Sequence, residues 1–175
     1  MTDAAVEPRR LRAMLRRAAG ETFNAVTVDG DMSTNDTLLF MANGVAGNSP
    51  VRSGSREEDI LFSAAREVME TLALKLVEDG EGATKVVEIR VLGSRSAAEA
   101  RKIAHTVATS QLVKTAFYGE DPNYGRIMAA IGRAEVPIKP DRVDVFFDGV
   151  TVVKRGIGVN ASDADQPAQT LTFTL

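Results

Sequence analysis

The stretch from Lys85 to Ala108, KVVEIRVLGSRSAAEARKIAHTVA, decides the fold class. Its first half alternates: Val87, Ile89 and Val91 are apolar, and Glu88 and Arg90 between them are charged. A period of two belongs to a strand with one buried and one solvated face. Its second half changes period. Ser96-Ala97-Ala98-Glu99 is a capping box, in which the serine hydroxyl accepts from a first-turn amide and the glutamate bonds back. Ala100, Ile103, Ala104 and Val107 then line one side of a helix. His105 lies off that stripe and reads as an exposed side chain.

Working outward, the same alternation of elements continues on both sides. Upstream, Pro8 opens a helix carrying Leu11, Met14, Leu15 and Ala18 at helical spacing. Five arginines crowd it, namely Arg9, Arg10, Arg12, Arg16 and Arg17, and they read as a solvated basic face. Asn24 to Asp29 reads as a strand ended by Asp29-Gly30, and Leu38 to Ala42 as a buried strand closed by Asn43-Gly44. The Gly/Ser/Asn/Pro-rich run from Val45 to Gly54 reads as a loop. A second capping box, Ser55-Arg56-Glu57-Glu58, starts a helix that places Leu61, Ala65, Val68, Leu72 and Leu76 along one face and stops near Asp79-Gly80.

Downstream, Leu112 to Phe117 reads as a further strand. Asp121-Pro122 reads as an N-cap and a helix-starting proline, with Ile127, Met128 and Ile131 in the helix. Val143, Val145 and Phe147, the turn Asp148-Gly149, and Val150, Val152 and Val153 make a hairpin. Alternating helices and strands with one late hairpin predict a layered α/β sandwich around a mixed sheet. With 175 residues, no internal repeat and no low-complexity linker, residues 1–175 are expected to form a single domain.

Composition narrows the function classes. A net charge of -3 gives no electrostatic footprint for nucleic acid or a membrane surface. Aromatics are 5% and tryptophan is absent, so base-stacking platforms are scarce. There is no cysteine, which removes disulfides, thiolate metal sites and a cysteine nucleophile. The single histidine rules out a multi-histidine metal site. The N-terminal MTDAAVEPRRLRA has no hydrophobic signal core, and a cytoplasmic location is expected.

Three motifs carry chemistry. DGEGATK, Asp79 to Lys85, is not a phosphate loop, because Ala83 and Thr84 separate Gly82 from the lysine. It leaves a carboxylate, Glu81, between two glycines at a helix-to-strand junction, where a ligand can approach the backbone closely. A carboxylate there suits a substrate ammonium; the alternative is an ordinary helix-terminating turn. DPNYGR, Asp121 to Arg126, offers helix-start amides and Arg126, both favourable to an anion, or else a plain cap with a surface arginine. STNDT, comprising Ser33, Thr34, Asn35, Asp36 and Thr37, is a hydrogen-bonding loop or a polar pocket wall.

Taken in order, TFNAVTVDGDMSTNDTLLFMANG, EDGEGATKVVEI and SQLVKTAFYGEDPNYGRIMAAIG closely resemble the β-chain of the ornithine acetyltransferase family, over roughly Thr2 to Gly158. The resemblance implies an acyltransferase that moves acetyl from N-acetylornithine to glutamate in arginine biosynthesis, some members using acetyl-CoA as donor and none a resident cofactor or metal. It implies a precursor that cleaves itself into α and β chains of an α2β2-type assembly. The new N-terminal threonine of β is the nucleophile, using its own amine as base. By position Glu81 is the substrate-binding glutamate. Ser33 to Thr37, Asn123 and Arg126 are placed at the cleft or its scaffold, with Tyr124 where the family usually has tryptophan. The family's nucleophile falls upstream of the segment matching TDAAV, and a C-terminal segment that contacts substrate falls beyond TLTFTL. The chain is therefore expected to be a β-chain truncated at both ends, with Thr2 a weak substitute nucleophile. The alternative expectation is a non-catalytic homologue acting as an amino-acid-binding or subunit-interaction domain.

Overall fold

The computed structural model describes residues 1–159 and 170–175. Its chain contacts gather into two compact units. The first comprises Met1–Val26 and Asp31–Asp79, and the second comprises Thr27–Gly30 and Gly80–Leu175.

In the first unit, α1 spans Pro8–Glu21 and α2 spans Arg56–Glu78. Proline at the first helical position of α1 loses only an amide that had no helical partner. At the start of α2 the Ser55 hydroxyl accepts from the Glu58 amide at 3.2 Å. The reciprocal bond differs from the expected box: the Glu58 carboxylate takes the Gly54 amide at 2.6 Å and pairs with Arg10 at 3.1 Å. Met14, Ala18, Val51, Phe62 and Met69 form the core, with Leu38, Phe40 and Leu61 packed on it. Arg17 lies over the Phe62 ring, 3.9 Å from its centroid, so one of the five arginines covers apolar surface while its side chain stays largely exposed.

The predicted face of α2 is corrected. Its buried line is Phe62, Met69 and Ala73, whereas Val68, Leu72 and Leu76 are 59%, 47% and 62% exposed. The two lines are neighbours on a helix, and periodicity alone does not say which of them finds a partner. The predicted strand over Asn24–Asp29 is absent. The chain leaves α1 through a tight turn, Phe23–Ala25, and no ladder partner meets it. The predicted strand over Leu38–Ala42 reduces to one parallel bridge between Thr2 and Ala42. Leu38 and Phe40 turn inward while Leu39 and Met41 are exposed, so the run is half-buried and not a fully buried strand.

The second unit is a five-stranded sheet covered by helices. In chain order it comprises β1 (Glu88–Leu92), α3 (Ala97–Ala108), α4 (Gln111–Tyr118), α5 (Tyr124–Gly132), β2 (Asp144–Phe147), β3 (Val150–Lys154), β4 (Ile157–Gly158) and β5 (Thr170–Thr174). The sheet order is β1-β5-β2-β3-β4. β5 runs parallel to β1 and antiparallel to β2, which makes the sheet mixed. Its register sets Phe173 between Val91 and Val145, and Leu171 between Ile89 and Phe147. These side chains meet Ile103 and Val107 of α3, Val113 of α4 and Ile127 and Ile131 of α5 in one core. The layered α/β sandwich with a mixed sheet is thus the observed architecture.

β1, α3 and the hairpin stand where the sequence placed them, the hairpin turning through Asp148 and Gly149 at φ 45° and 85°. Leu112–Phe117 is corrected from strand to helix. Val113, Ala116 and Phe117 at spacings of three and four all face the core, a helical pattern within a run too short to announce it. Gly156 is fixed by space as well as by its φ of 76°, because a Cβ there would overlap the Pro140 carbonyl.

Two modest stability effects follow. Ser96 caps α3 by accepting from the Glu99 amide at 3.2 Å. Ser96→Ala is expected to cost about 1 kcal/mol in a urea titration, a typical value for a lost N-cap. The second concerns acid. The Gly54 amide, then Arg10, hold the Glu58 carboxyl below its ordinary value of 4.5. The Arg155 amide and Lys154 likewise hold Asp144 below 3.8. Arg90 lowers Glu88, and Lys102 lowers Glu135. Depressed folded values mean that the unfolded chain binds more protons near these pH values, so folding stability falls as pH drops through them. Tm is expected to hold from neutrality to about pH 5 and to decline below it. A Tm that rose on acidification would contradict these pairings.

Candidate functional site

Glu81 sits in the turn that follows α2, within the second unit. The Ala83 amide closes that turn on the Gly80 carbonyl at 2.9 Å. Gly82 holds φ 70° with nothing near the position of a Cβ, so backbone conformation and not crowding asks for glycine there. The Glu81 carboxyl is exposed, on a turn whose glycines leave the backbone approachable.

Lys85 closes the same motif, and its ammonium is fully engaged. It donates to the Phe117 carbonyl at 3.1 Å, the Tyr118 carbonyl at 3.4 Å and the Glu120 carboxylate at 2.8 Å. The carbonyls are those of the last turn of α4, which lie beyond its i→i+4 ladder; that of Phe117 also accepts the Glu120 amide at 3.2 Å. A cation there also meets the negative end of the helix dipole.

The DPNYGR block begins two residues later than predicted as a helix. Asn123, not Asp121, is the N-cap of α5: its side-chain oxygen accepts from the Arg126 amide at 3.1 Å. Asp121 instead supports the cap, its carboxylate accepting from the Asn123 side-chain amide at 2.9 Å. The spacing Asn123 to Arg126 is that of an N-cap to its N3 position, so the signal was present one cap candidate further on. Arg126 donates to the Leu112 carbonyl and the Thr115 hydroxyl, both at 3.1 Å, which fastens α5 to α4. Tyr124 rests against Gly158 of β4; a Cβ on Gly158 would overlap the phenol ring.

Ser33 to Thr37 belong to the first unit and are all exposed. The Ser33 hydroxyl accepts from the Asn35 and Asp36 amides at 3.1 and 3.2 Å, and the Thr37 hydroxyl donates to the Asn35 carbonyl at 3.3 Å. The block holds its own shape through local bonds. Thr2, also in this unit, donates its amide to the Met41 carbonyl at 2.9 Å, and its hydroxyl accepts from the Ala4 amide. His105 is exposed, as expected.

Within the second unit, then, an exposed carboxylate turn and an N-capped helix with an anchored arginine are both tied to α4. These elements define a layered α/β protein with polar loops at its helix ends. The particular family follows from comparison: the sequence matches the ArgJ family over residues 1–173, and the chain belongs to that family. It is 52% identical over 165 residues to the arginine biosynthesis bifunctional protein ArgJ of Desulfotalea psychrophila, covering 94% of this chain and 42% of that protein. It is 52% identical over 157 residues to the ArgJ protein of Geobacter sulfurreducens, covering 90% and 40%. The crystal structure of the ArgJ protein of Bacillus halodurans superposes with a TM-score of 0.94 at 34% identity, over 99% of this chain and 85% of that one. The chain therefore spans about two fifths of the length of these curated relatives.

Proposed function

We propose that this chain is the substrate-recognising portion of a glutamate N-acetyltransferase of the ornithine acetyltransferase type. In this reading acetyl passes from N-acetylornithine to a nucleophilic threonine, and from that threonine to the amine of glutamate. In the family that threonine precedes the segment that Thr2 to Val6 match, so recognition is the part assigned to these residues. The reading is carried by Glu81, an exposed carboxylate on a glycine-flanked turn, which the family resemblance matches to a substrate-binding glutamate. Its role is to pair with the ammonium of the amino-acid substrate, a charge-assisted bond. Asn123 shapes the start of α5 and Arg126 locks that helix to α4, and in this reading they support the substrate site rather than touch the substrate. The assembly proposed is of the α2β2 type with the α-chain of the same precursor, in the cytoplasm. The relatives are arginine biosynthesis bifunctional proteins, a biosynthetic setting that supports the reading.

A chimera tests it. The matching 165 residues of the Desulfotalea psychrophila relative are replaced by those of this chain. The chimera is expected to transfer acetyl from N-acetylornithine to glutamate. A folded chimera without transfer, beside an active parent, would refute the reading and favour a non-catalytic domain.

A further inference from the structure

Two motif blocks of the second unit hang from one helix. Arg126 fastens the DPNYGR block to the body of α4 through Leu112 and Thr115. Lys85 fastens the DGEGATK block to the end of the same helix through Phe117 and Tyr118. Lys85 also reaches Glu120, the residue that joins α4 to the second block. Glu120 stands at φ 57°, a left-handed conformation that non-glycine residues keep only where their surroundings hold them. Its amide donates to the Phe117 carbonyl at 3.2 Å, and the next amide, that of Asp121, donates to the Ala116 carbonyl at 2.9 Å. An ammonium has three donors and no acceptor, and here each of the three has an acceptor. The Lys85 side chain is 23% exposed, so the contact is partly screened from water.

We propose that Lys85 is a positioning residue. It fixes the DGEGATK turn against the carboxyl end of α4, so that Glu81, four residues earlier, is presented to the substrate ammonium in one place. The proposal rests on the reading of Glu81 given above. Without the lysine the turn keeps its internal bond from Ala83 to Gly80 but loses the hydrogen bonds from Lys85 to the α4 carbonyls. Glu81 is then present and charged but spread over many positions, and the entropy of fixing it falls on each binding event.

The test is calorimetric titration of L-ornithine, a free ammonium probe, into the 175-residue chain and four variants. Lys85→Met is expected to weaken binding about tenfold, and Lys85→Arg to recover most of it. Glu81→Gln should weaken binding at least as much as Lys85→Met. The double variant Lys85→Met/Glu81→Gln should be no worse than Glu81→Gln alone, because the lysine acts only through the glutamate. A general loss of structure would give additive losses instead, and additivity overturns the proposal. So does unchanged affinity in Lys85→Met. If Lys85→Met does not fold, Glu120→Gln removes the ion pair while leaving both carbonyl contacts, and it must then weaken binding without adding to Glu81→Gln. Failure of the reading beneath is distinct: the unaltered chain would not bind L-ornithine, or Glu81→Gln would bind it equally well.

Discussion

Replacing Phe173 by alanine is expected to destabilise the second unit by about 3–5 kcal/mol, the range for emptying a buried aromatic site. Phe173 has no exposed surface and stands in β5, between Val91 of β1 and Val145 of β2. It is the largest of the fully buried side chains. Neighbours on both sides are themselves held by ladders, so the site cannot collapse to fill the void. Whole domains are commonly stable by only about 5–15 kcal/mol, so a loss of this size is a large share of the total. Urea denaturation followed by circular dichroism measures it, and Phe173→Leu should cost about 1 kcal/mol. A cost for Phe173→Ala no larger than that for the leucine variant would mean that β5 does not lie inside the sheet between β1 and β2.

The second large effect is on chemistry. In the active chimera, Glu81→Gln is expected to lower kcat/KM for N-acetylornithine and for glutamate by about 10- to 100-fold, the worth of one charge-assisted hydrogen bond. Glutamine keeps the shape and the hydrogen-bonding oxygen but not the charge. Stability should stay within about 0.5 kcal/mol, since Glu81 is exposed and forms none of the ion pairs among the described residues. Loss of activity with Tm preserved is the signature of recognition. Equal loss of both would make Glu81 a structural residue.

What the sequence disclosed and what it withheld have physical reasons. The strand Glu88–Leu92 and the helix Ala97–Ala108 were legible because each repeats its period several times and the helix declares its cap. β5 went unread although TLTFT alternates, with Leu171 and Phe173 inside. A five-residue strand inside a sheet is defined by partners far away in sequence, here Glu88–Leu92 and Asp144–Phe147, and no local signal names them. Leu112–Phe117 was misread for the opposite reason: β-tolerant residues in a short run, with a Ser110 that makes no side-chain cap. The candidate site shows the same division. Glu81 between its glycines could be read locally, whereas the helix start was read two residues early, at Asp121 and not Asn123. The three-way bond of Lys85 could not, since its acceptors lie more than thirty residues along the chain. Those acceptors are mostly backbone carbonyls, which carry no sequence identity at all.

The most direct test of the account is the affinity of the 175-residue chain for L-ornithine, measured by calorimetry with and without Glu81→Gln. Measurable binding that weakens at least about tenfold in the variant, with Tm unchanged, is expected. Equal binding by the two proteins, or none by the unaltered chain, would contradict the assignment of the substrate ammonium to Glu81.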